Sequence, residues 1–575
     1  MGASAGQSGL ASLPLSLSTH DLQPPHDPEG DRQQPDRAVC PGALCQAHEA
    51  DRSRRQFNGN RGRYRPTLSA MPDRQSGRVL CSTRIINSAN CSAVTNTNSS
   101  SISRLLLGRW LVLPILALGL MAFVSTPLLM ARLVEIGSAM LIIVFLLMLS
   151  ISAMAVIWRS DQFVINLTTK LVAKLDLLPI LVIVAIGIVL RVLWIAIFPA
   201  QPGSDGATYL ALAVRIQQGA SYEIGNTLAY WPPGYPLFLS GFLQILGDSK
   251  IAYLMSNLVV YLVGIFGAYS LGRAISGERA GKISAMLFAI WPNLVFNSGT
   301  PEKEMLVLAL LPWVLSLLIR SLESKSSNWR SLTAGLLLGM AILVQPSLQF
   351  LPLLGAIVLI ALSSRKYTGL ACALLFIFGA IVVIAPWSLR NYEVFDRFVL
   401  VSTNGGDNFY RANNPLATGG YSPKGEIDLS NLGELERDKQ GRRLAIDWIK
   451  QNPLDFAKLA IEKQFRFMGD DAVGVYTTLK VGKASDDSRI YAALKLGANL
   501  WWIAAWGVLI ALILVVSKRT IQLPSLALLP IWFWLYLYTL HAVFESAGKY
   551  HVPALWVPCV MIGVIATALA KSKST

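Results

Sequence analysis

From about residue 110 onward the chain is a succession of apolar segments, each close to the roughly 20 residues that a helix needs to cross a bilayer. Lipid offers no hydrogen-bond partner, so the backbone of each segment must satisfy itself, and a helix does so within one segment. That constraint predicts an all-α polytopic membrane protein. Candidate spans run near 110–130, 135–157, 178–199, 251–272, 280–298, 304–320, 331–346, 347–363, 368–388, 498–517, 522–544 and 549–570, about 12 transmembrane helices in all. The pair meeting at Gln345-Pro346 is short, and a re-entrant hairpin is the alternative there. Composition agrees: the chain is 53% hydrophobic and 15% charged, where a soluble protein carries about 25% charged residues.

The net charge of +16 therefore has a membrane reading, as positive loops and anionic lipid contacts, and no nucleic-acid partner is expected. If the N-terminus is cytoplasmic and the spans alternate, the short basic loops fall on one side: Arg159 to Lys174, Arg273 to Lys282, Arg320 to Arg330, Arg365-Lys366, Lys518-Arg519, and Lys571 with Lys573. The positive-inside rule then puts both termini in the cytoplasm of a plasma-type (inner) membrane. The opposite side receives the loop 200–250, the turn Gly299 to Glu304, a region from 389 to 497, and the turn Phe544 to His551. Four distant stretches thus bring ionisable groups to one extracytoplasmic surface, where chemistry at the interface is expected rather than passage through it.

Residues 1–104 are another material, rich in Ser, Asn, Pro, Gly and Arg and without lysine; Lys170 is the first in the chain. They cannot bury enough surface to offset their ordering, so a disordered N-terminal tail is expected, either dispensable behind a downstream start or an Arg-rich contact arm. The expected domains are that tail, a membrane core 105–388 with its first outer loop 200–250, an extracytoplasmic region 389–497, and C-terminal spans 498–575. In the outer region, 434–450 and 453–468 read as amphipathic helices, 391–421 as strand and turn, and 237–247 as a helix along the surface; a small mixed cap follows from these. Cys40, Cys45, Cys81, Cys91, Cys372 and Cys559 show neither zinc-ligand nor disulfide spacing.

Each charged group has a plain reading beside a chemical one. Asp205, five residues past a span and ahead of Tyr230-Trp231-Pro232-Pro233-Gly234-Tyr235, either caps a helix or acts as a base. Glu302 and Glu304 either complement a helix dipole or belong to the site. Arg390 either snorkels to headgroups or binds a phosphate through its planar donors, and Lys549 and His551 share those readings. Arg191 lies deep in a span, as a buried ion pair or on a lipid-phosphate path. No nucleotide-binding or hydrolase motif is present: GxxxxGK[ST], GxGxxG after a strand, HExxH and GxSxG are all missing.

In four places the chain resembles the integral-membrane glycosyltransferases of the C-type fold, specifically the protein-mannosyltransferase-like family. These are Ser204-Asp205 with Tyr209 followed by Pro233-Gly234-Tyr235-Pro236-Leu237; Pro301-Glu302; Pro386-Trp387-Ser388-Leu389-Arg390-Asn391-Tyr392, running on to Asn404-Gly405-Gly406-Asp407-Asn408 and Asn413-Asn414-Pro415; and Lys549-Tyr550-His551-Val552-Pro553. The likeness covers 178–570. It implies a sugar donor on polyprenyl phosphate, a glycan, lipid or protein acceptor, and transfer with inversion. Asp205 maps onto the family's first-loop carboxylate, with Glu302 as a second catalytic acid. Arg390, Lys549 and Arg191 are expected at the donor phosphate, and Tyr209, Tyr235, Glu304, His551 and Asn404 around the substrate. Two departures stand out: Asp205 is followed by Gly206 where relatives often carry a second acid, and Gln345-Pro346 replaces an Arg-Pro. No metal ligand set is evident; the resemblance leaves open a divalent cation, which some members of the wider fold hold between acids and donor phosphate and which Asp205 with Glu302 could bind only weakly. A flippase for a lipid-linked glycan and a scaffold subunit with a decayed site are the competing readings.

Overall fold

The computed structural model describes residues 101–133, 160–323, 328–422 and 425–572. The expected tail up to 100, the span 135–157 and Lys573 lie outside the described residues. What is described is helical, and its one β-bridge joins Ile224 to Thr227. In chain order the helices are α1 Ser101–Leu133, α2 Asp161–Asp176, α3 Ile180–Ile197, α4 Ser204–Gln217, α5 Gly234–Leu246, α6 Ser249–Ser276, α7 Glu278–Ile290, α8 Lys303–Glu323, α9 Asn328–Val344, α10 Leu351–Leu362, α11 Lys366–Phe395, α12 Gly405–Ala412, α13 Glu434–Gln451, α14 Pro453–Met468, α15 Ser488–Lys518, α16 Leu528–Val543 and α17 Trp556–Ser572.

Seven helices among the described residues are long and apolar enough to cross a membrane. An eighth span is broken, with Gly548–Ala554 meeting α17 at 48°. This is a multi-pass membrane protein, with fewer full-length spans among its described residues than the dozen expected of the whole chain. One expected span, 135–157, lies outside the described residues, and proline interrupts three of the others, because it lacks the N–H that an uninterrupted helix needs. Pro292 ends α7 after an extended Trp291 and starts a separate short helix, Pro292–Phe296. Pro346 likewise separates the short helices α9 and α10.

The bundle has two chemically distinct ends. At one, α2 is an amphipathic helix in a stretch that reads as loop from the sequence, with Val164, Ile165 and Val172 buried. Its first residue, Asp161, pairs with Arg519 at 2.7 Å, and its last, Asp176, with Arg279 at 2.8 Å. The basic stretches around 279 and 519 therefore meet at one end, as the alternation of spans predicts. The other end carries α4, α5, the turn before α8, the segment between α11 and α15, and the turn after α16.

α13 and α14 form where amphipathic periodicity places them. The strand expected over 391–421 does not. α11 continues to Phe395 and stops at Asp396 in the left-handed region (φ 50°), and α12 occupies 405–412. Asn391 is fully buried, its amide bonded to the carbonyls of Val399 and Val401. The returning chain is thus tied by side chains instead of a strand ladder, and the cap is helical rather than mixed.

Candidate active site

Asp205 stands in the first turn of α4, but it does not cap the helix. Gly203 is the N-cap and no side-chain bond is made there. Ser204, just before it, takes φ 49°, a left-handed conformation uncommon for a residue with a Cβ and concentrated at functional sites. The Asp205 carboxylate turns instead to Lys549, whose Nζ donates to Oδ2 at 3.0 Å. Both side chains keep about a third of their surface open, 39% for Asp205 and 34% for Lys549. The pair lines a reachable space rather than a sealed core.

Close backbone packing brings the two partners together. A Cβ on Gly206 would lie 2.8 Å from the carbonyl oxygen of Pro301, so α4 can press against the Pro301-Glu302 turn only with glycine there. A second acid at position 206 has no room, and the further acids come from Glu302 and Glu304 across that contact. A Cβ on Gly548 would fall 1.9 Å from the carbonyl of Asp470, which fixes the backbone just before Lys549.

The result is a mixed cluster of acids and cations. Burial works to raise the Asp205 carboxyl, but Lys549, Lys303 and Arg411 outweigh it and hold it below its ordinary value. Glu302 is the opposite case. Burial, then the neighbouring Glu304 and Asp205 carboxylates, push it up to about 8 against the pull of Lys549 and Lys303. Two carboxyls in one site are thus driven apart, one ionised and one carrying its proton at neutral pH, a pattern typical of acid–base chemistry.

Tyr209 and Tyr235 form the wall behind the cluster. They are 2% and 1% exposed, with their rings 5.7 Å apart edge to face, and the Lys303 ammonium lies 5.6 Å from the Tyr209 ring. Of the residues expected at the site, the structure brings together Asp205, Glu302, Glu304, Lys549, Tyr209 and Tyr235. Four others are elsewhere. Arg390 donates to the carbonyls of Leu228 and Tyr222 and lies over the Trp387 ring, so it clamps the first loop to the cap. Glu434 completes that clamp by accepting the amides of Leu228 and Ala229. Arg191 is buried between spans, donating to the carbonyl of Ala289 at 2.9 Å and stacked 3.8 Å from the Tyr261 ring. His551 is fully buried between Phe467 and Asp471, its ring flat against Trp502 at 4.8 Å. Asn404 accepts from the Ser402 hydroxyl at the start of α12.

Sequence reasoning missed Arg411, Asp407 and Tyr230. Tyr230 donates to Asp407 at 2.7 Å, Arg411 stands 3.8 Å from the same carboxylate, and the Arg411 charge reaches Asp205. Arg411 and Asp407 share one face of α12 because they are four residues apart. The signal was a helical i, i+4 acid–base pair inside the Asn-rich stretch read as strand. Among the described residues, no group of three or more His, Cys, Asp or Glu side chains is arranged to hold a metal ion.

Comparison with known proteins gives one family match. Residues 231–389 match the sequence family described as dolichyl-phosphate-mannose-protein mannosyltransferase. No curated protein sequence matches. Among solved structures, the apo oligosaccharyltransferase of Archaeoglobus fulgidus is similar at 15% identity and a TM-score of 0.42, covering 68% of this chain and 50% of that one. The chain therefore spans about half the length of that enzyme. ArnT from Cupriavidus metallidurans bound to undecaprenyl phosphate is similar at 17% identity, with a TM-score of 0.33, over 67% of this chain and 77% of that one. The Archaeoglobus fulgidus AglB complexed with an inhibitory peptide and a dolichol-phosphate is similar at 12% identity, with a TM-score of 0.33, over 68% of this chain and 50% of that one. At TM-scores below 0.5 these likenesses carry no argument about this chain's site. The matched stretch begins at Trp231 and takes in the Glu302 turn, and over it the chain is similar in sequence to the dolichyl-phosphate-mannose-protein mannosyltransferases.

Proposed function

We propose that the protein is a membrane glycosyltransferase that moves a sugar from a polyprenyl-phosphate donor to a hydroxyl acceptor on a glycan, lipid or protein. The observation that carries this reading is the Asp205–Lys549 pair at 3.0 Å, part-exposed and within the field of Arg411, Lys303 and Glu302. A base and several cations in one space are what the reaction requires. The acceptor oxygen attacks the anomeric carbon and gives its proton to Asp205 as the bond from that carbon to the phosphate oxygen breaks. Polyprenyl phosphate leaves with the electron pair and the anomeric centre inverts. Charge builds on the departing phosphate, and fixed cations there lower the barrier. Lys549 and Arg411 take that role, in place of Arg390 and Arg191. The donor phosphate competes with Asp205 for Lys549, so donor binding loosens the base from its partner. The basic end of the bundle faces the cytoplasm by the positive-inside rule, which puts this site on the extracytoplasmic side of an inner membrane.

Radiolabelled polyprenyl-phosphate sugars, offered to the protein in liposomes with candidate acceptors, are expected to lose their label to an acceptor as polyprenyl phosphate appears. Label that crosses between leaflets with its sugar–phosphate bond intact would instead establish a flippase. A pH dependence follows from Glu302. Below about 8 it is neutral beside the donor phosphate; above, it adds a like charge. The KM for donor is therefore expected to rise as pH climbs through about 8, with the step abolished in Glu302→Gln. A KM that stays flat across that range in the unmodified protein contradicts the assignment.

A further inference from the structure

We propose that Lys463, on the buried face of α14, is a positioning residue that holds the two phosphate-binding arms in register; this rests on the glycosyltransferase reading above. The Lys463 side chain is fully buried and reaches neither Asp205 nor the open space around it. Its Nζ donates to Asn413 Oδ1 at 2.8 Å and to the carbonyl of Val543 at 3.0 Å. Those two acceptors belong to different arms of the site. Asn413 is the C-cap of α12, two residues after Arg411. Val543 is the last residue of α16, six residues before Lys549.

The joint is closed by further bonds between the same elements. The Asn413 amide donates both to the carbonyl of Phe409 in α12 and to that of Val543, each at 2.9 Å. The Ser546 N–H donates to the carbonyl of Gly419 at 2.9 Å, and the rings of Phe409 and Phe544 meet at 5.4 Å. Lys463 is the point where a third element joins the end of α12 to the end of α16. Turning either arm relative to the other requires breaking one of its two bonds.

An ammonium is a costly way to fill this space. Burial pulls the Lys463 amine down to about 7 against the field of Glu545. An apolar side chain of similar length would avoid that desolvation but would leave the buried Asn413 Oδ1 without its donor, at a cost of about 1–3 kcal/mol. The amine therefore serves to tie its two acceptors together, which an apolar side chain cannot do. What separates the proposal from a purely structural role is selectivity, since donor use should suffer while acceptor use does not.

The test compares Lys463→Met and Lys463→Arg with the unmodified protein in thermal unfolding, in transfer kinetics and in binding of polyprenyl phosphate alone. Lys463→Met is expected to lower the unfolding midpoint modestly, because Asn413 Oδ1 loses a buried donor while the Val543 carbonyl keeps the Asn413 amide. Its KM for donor should rise about 10–100-fold, the usual cost of losing a group that orients a ligand, with a smaller change in kcat and none in the KM for acceptor. Lys463→Arg, which retains donors, should recover part of that loss. An unchanged donor KM in a folded Lys463→Met protein overturns the proposal, as does an equal rise in both KM values. If Lys463→Met does not fold, Lys463→Gln decides by the same measures, because its amide can still donate to one arm. If the unmodified protein transfers no sugar, the glycosyltransferase reading has failed by itself. The ratio of polyprenyl-phosphate affinities between Lys463→Met and the unmodified protein then judges the positioning role, and no binding by either ends both.

Discussion

Asp205→Asn is expected to reduce sugar transfer by about 10²–10⁴, the range that a positioned base contributes, while polyprenyl phosphate binds slightly more tightly. The asparagine keeps the shape of the side chain and can still meet Lys549, so α4 should hold its place against Pro301. It cannot accept the acceptor's proton. It also no longer competes as an anion for Lys549, where the carboxylate now sits at 3.0 Å. A pair as exposed as this one is worth about 0.2–1 kcal/mol, which converts to at most about fivefold in affinity. Opposite movements of rate and binding distinguish a base paired to a phosphate-binding cation from a residue that merely supports the loop. Transfer by Asp205→Asn at the unmodified rate removes Asp205 from the chemistry. Lost transfer with weakened phosphate binding leaves the base but refutes the competition for Lys549.

The largest effect on stability is expected at Asp471, away from the open cluster. Its carboxylate is fully buried and accepts the Trp291 indole N–H at 2.7 Å and the Asn293 amide at 2.5 Å, with His551 Nε2 at 3.1 Å. Its own N–H donates to Asn499 at 2.9 Å. Asp471→Ala strips three buried polar groups of a partner at once. Removing one side of a buried pair costs about 3–5 kcal/mol. The midpoint of thermal unfolding in detergent, followed by tryptophan fluorescence, should fall clearly, with Asp471→Asn intermediate because it can still accept. A midpoint within a degree of the unmodified protein would show that the network does not hold the end of α7 to the final span.

These two residues mark where the sequence is and is not readable. Asp205, Glu302, Glu304 and Lys549 were legible because each follows or precedes an apolar segment, and span alternation brings those ends to one side. Helices α13 and α14 were legible from their apolar periodicity. His551 and Arg390 were misplaced for a common reason: an ionisable residue just outside a span looks alike whether it faces a cavity or other protein. His551 is fully buried against Trp502, and Arg390 is spent on two carbonyls more than 160 positions back in the chain. Contacts over such separations leave no local pattern. Arg411 was hidden differently, since Asn, Gly and Pro around it argue for turns, while α12 is held together by long-range ties at Asn413.

Arg191 has a bearing on Asp205 although they never meet. α3, the helix that leads directly into the Asp205 loop, has only 28% of its apolar window inside the protein, the least of the seven full-length spans. The rest of that window is not buried in the protein. Among the described residues the polar ties of α3 to the neighbouring helices are few: the Arg191 guanidinium wedged against Tyr261 and bonded to Ala289, the Tyr261 hydroxyl donating to Val184, and the Trp194 indole donating to Phe296. Asp205 therefore follows a span with little protein packing, steadied beyond it by the Gln201 N–H bonded to the Gly482 carbonyl, and transfer is expected to vary with the acyl-chain length of the surrounding bilayer.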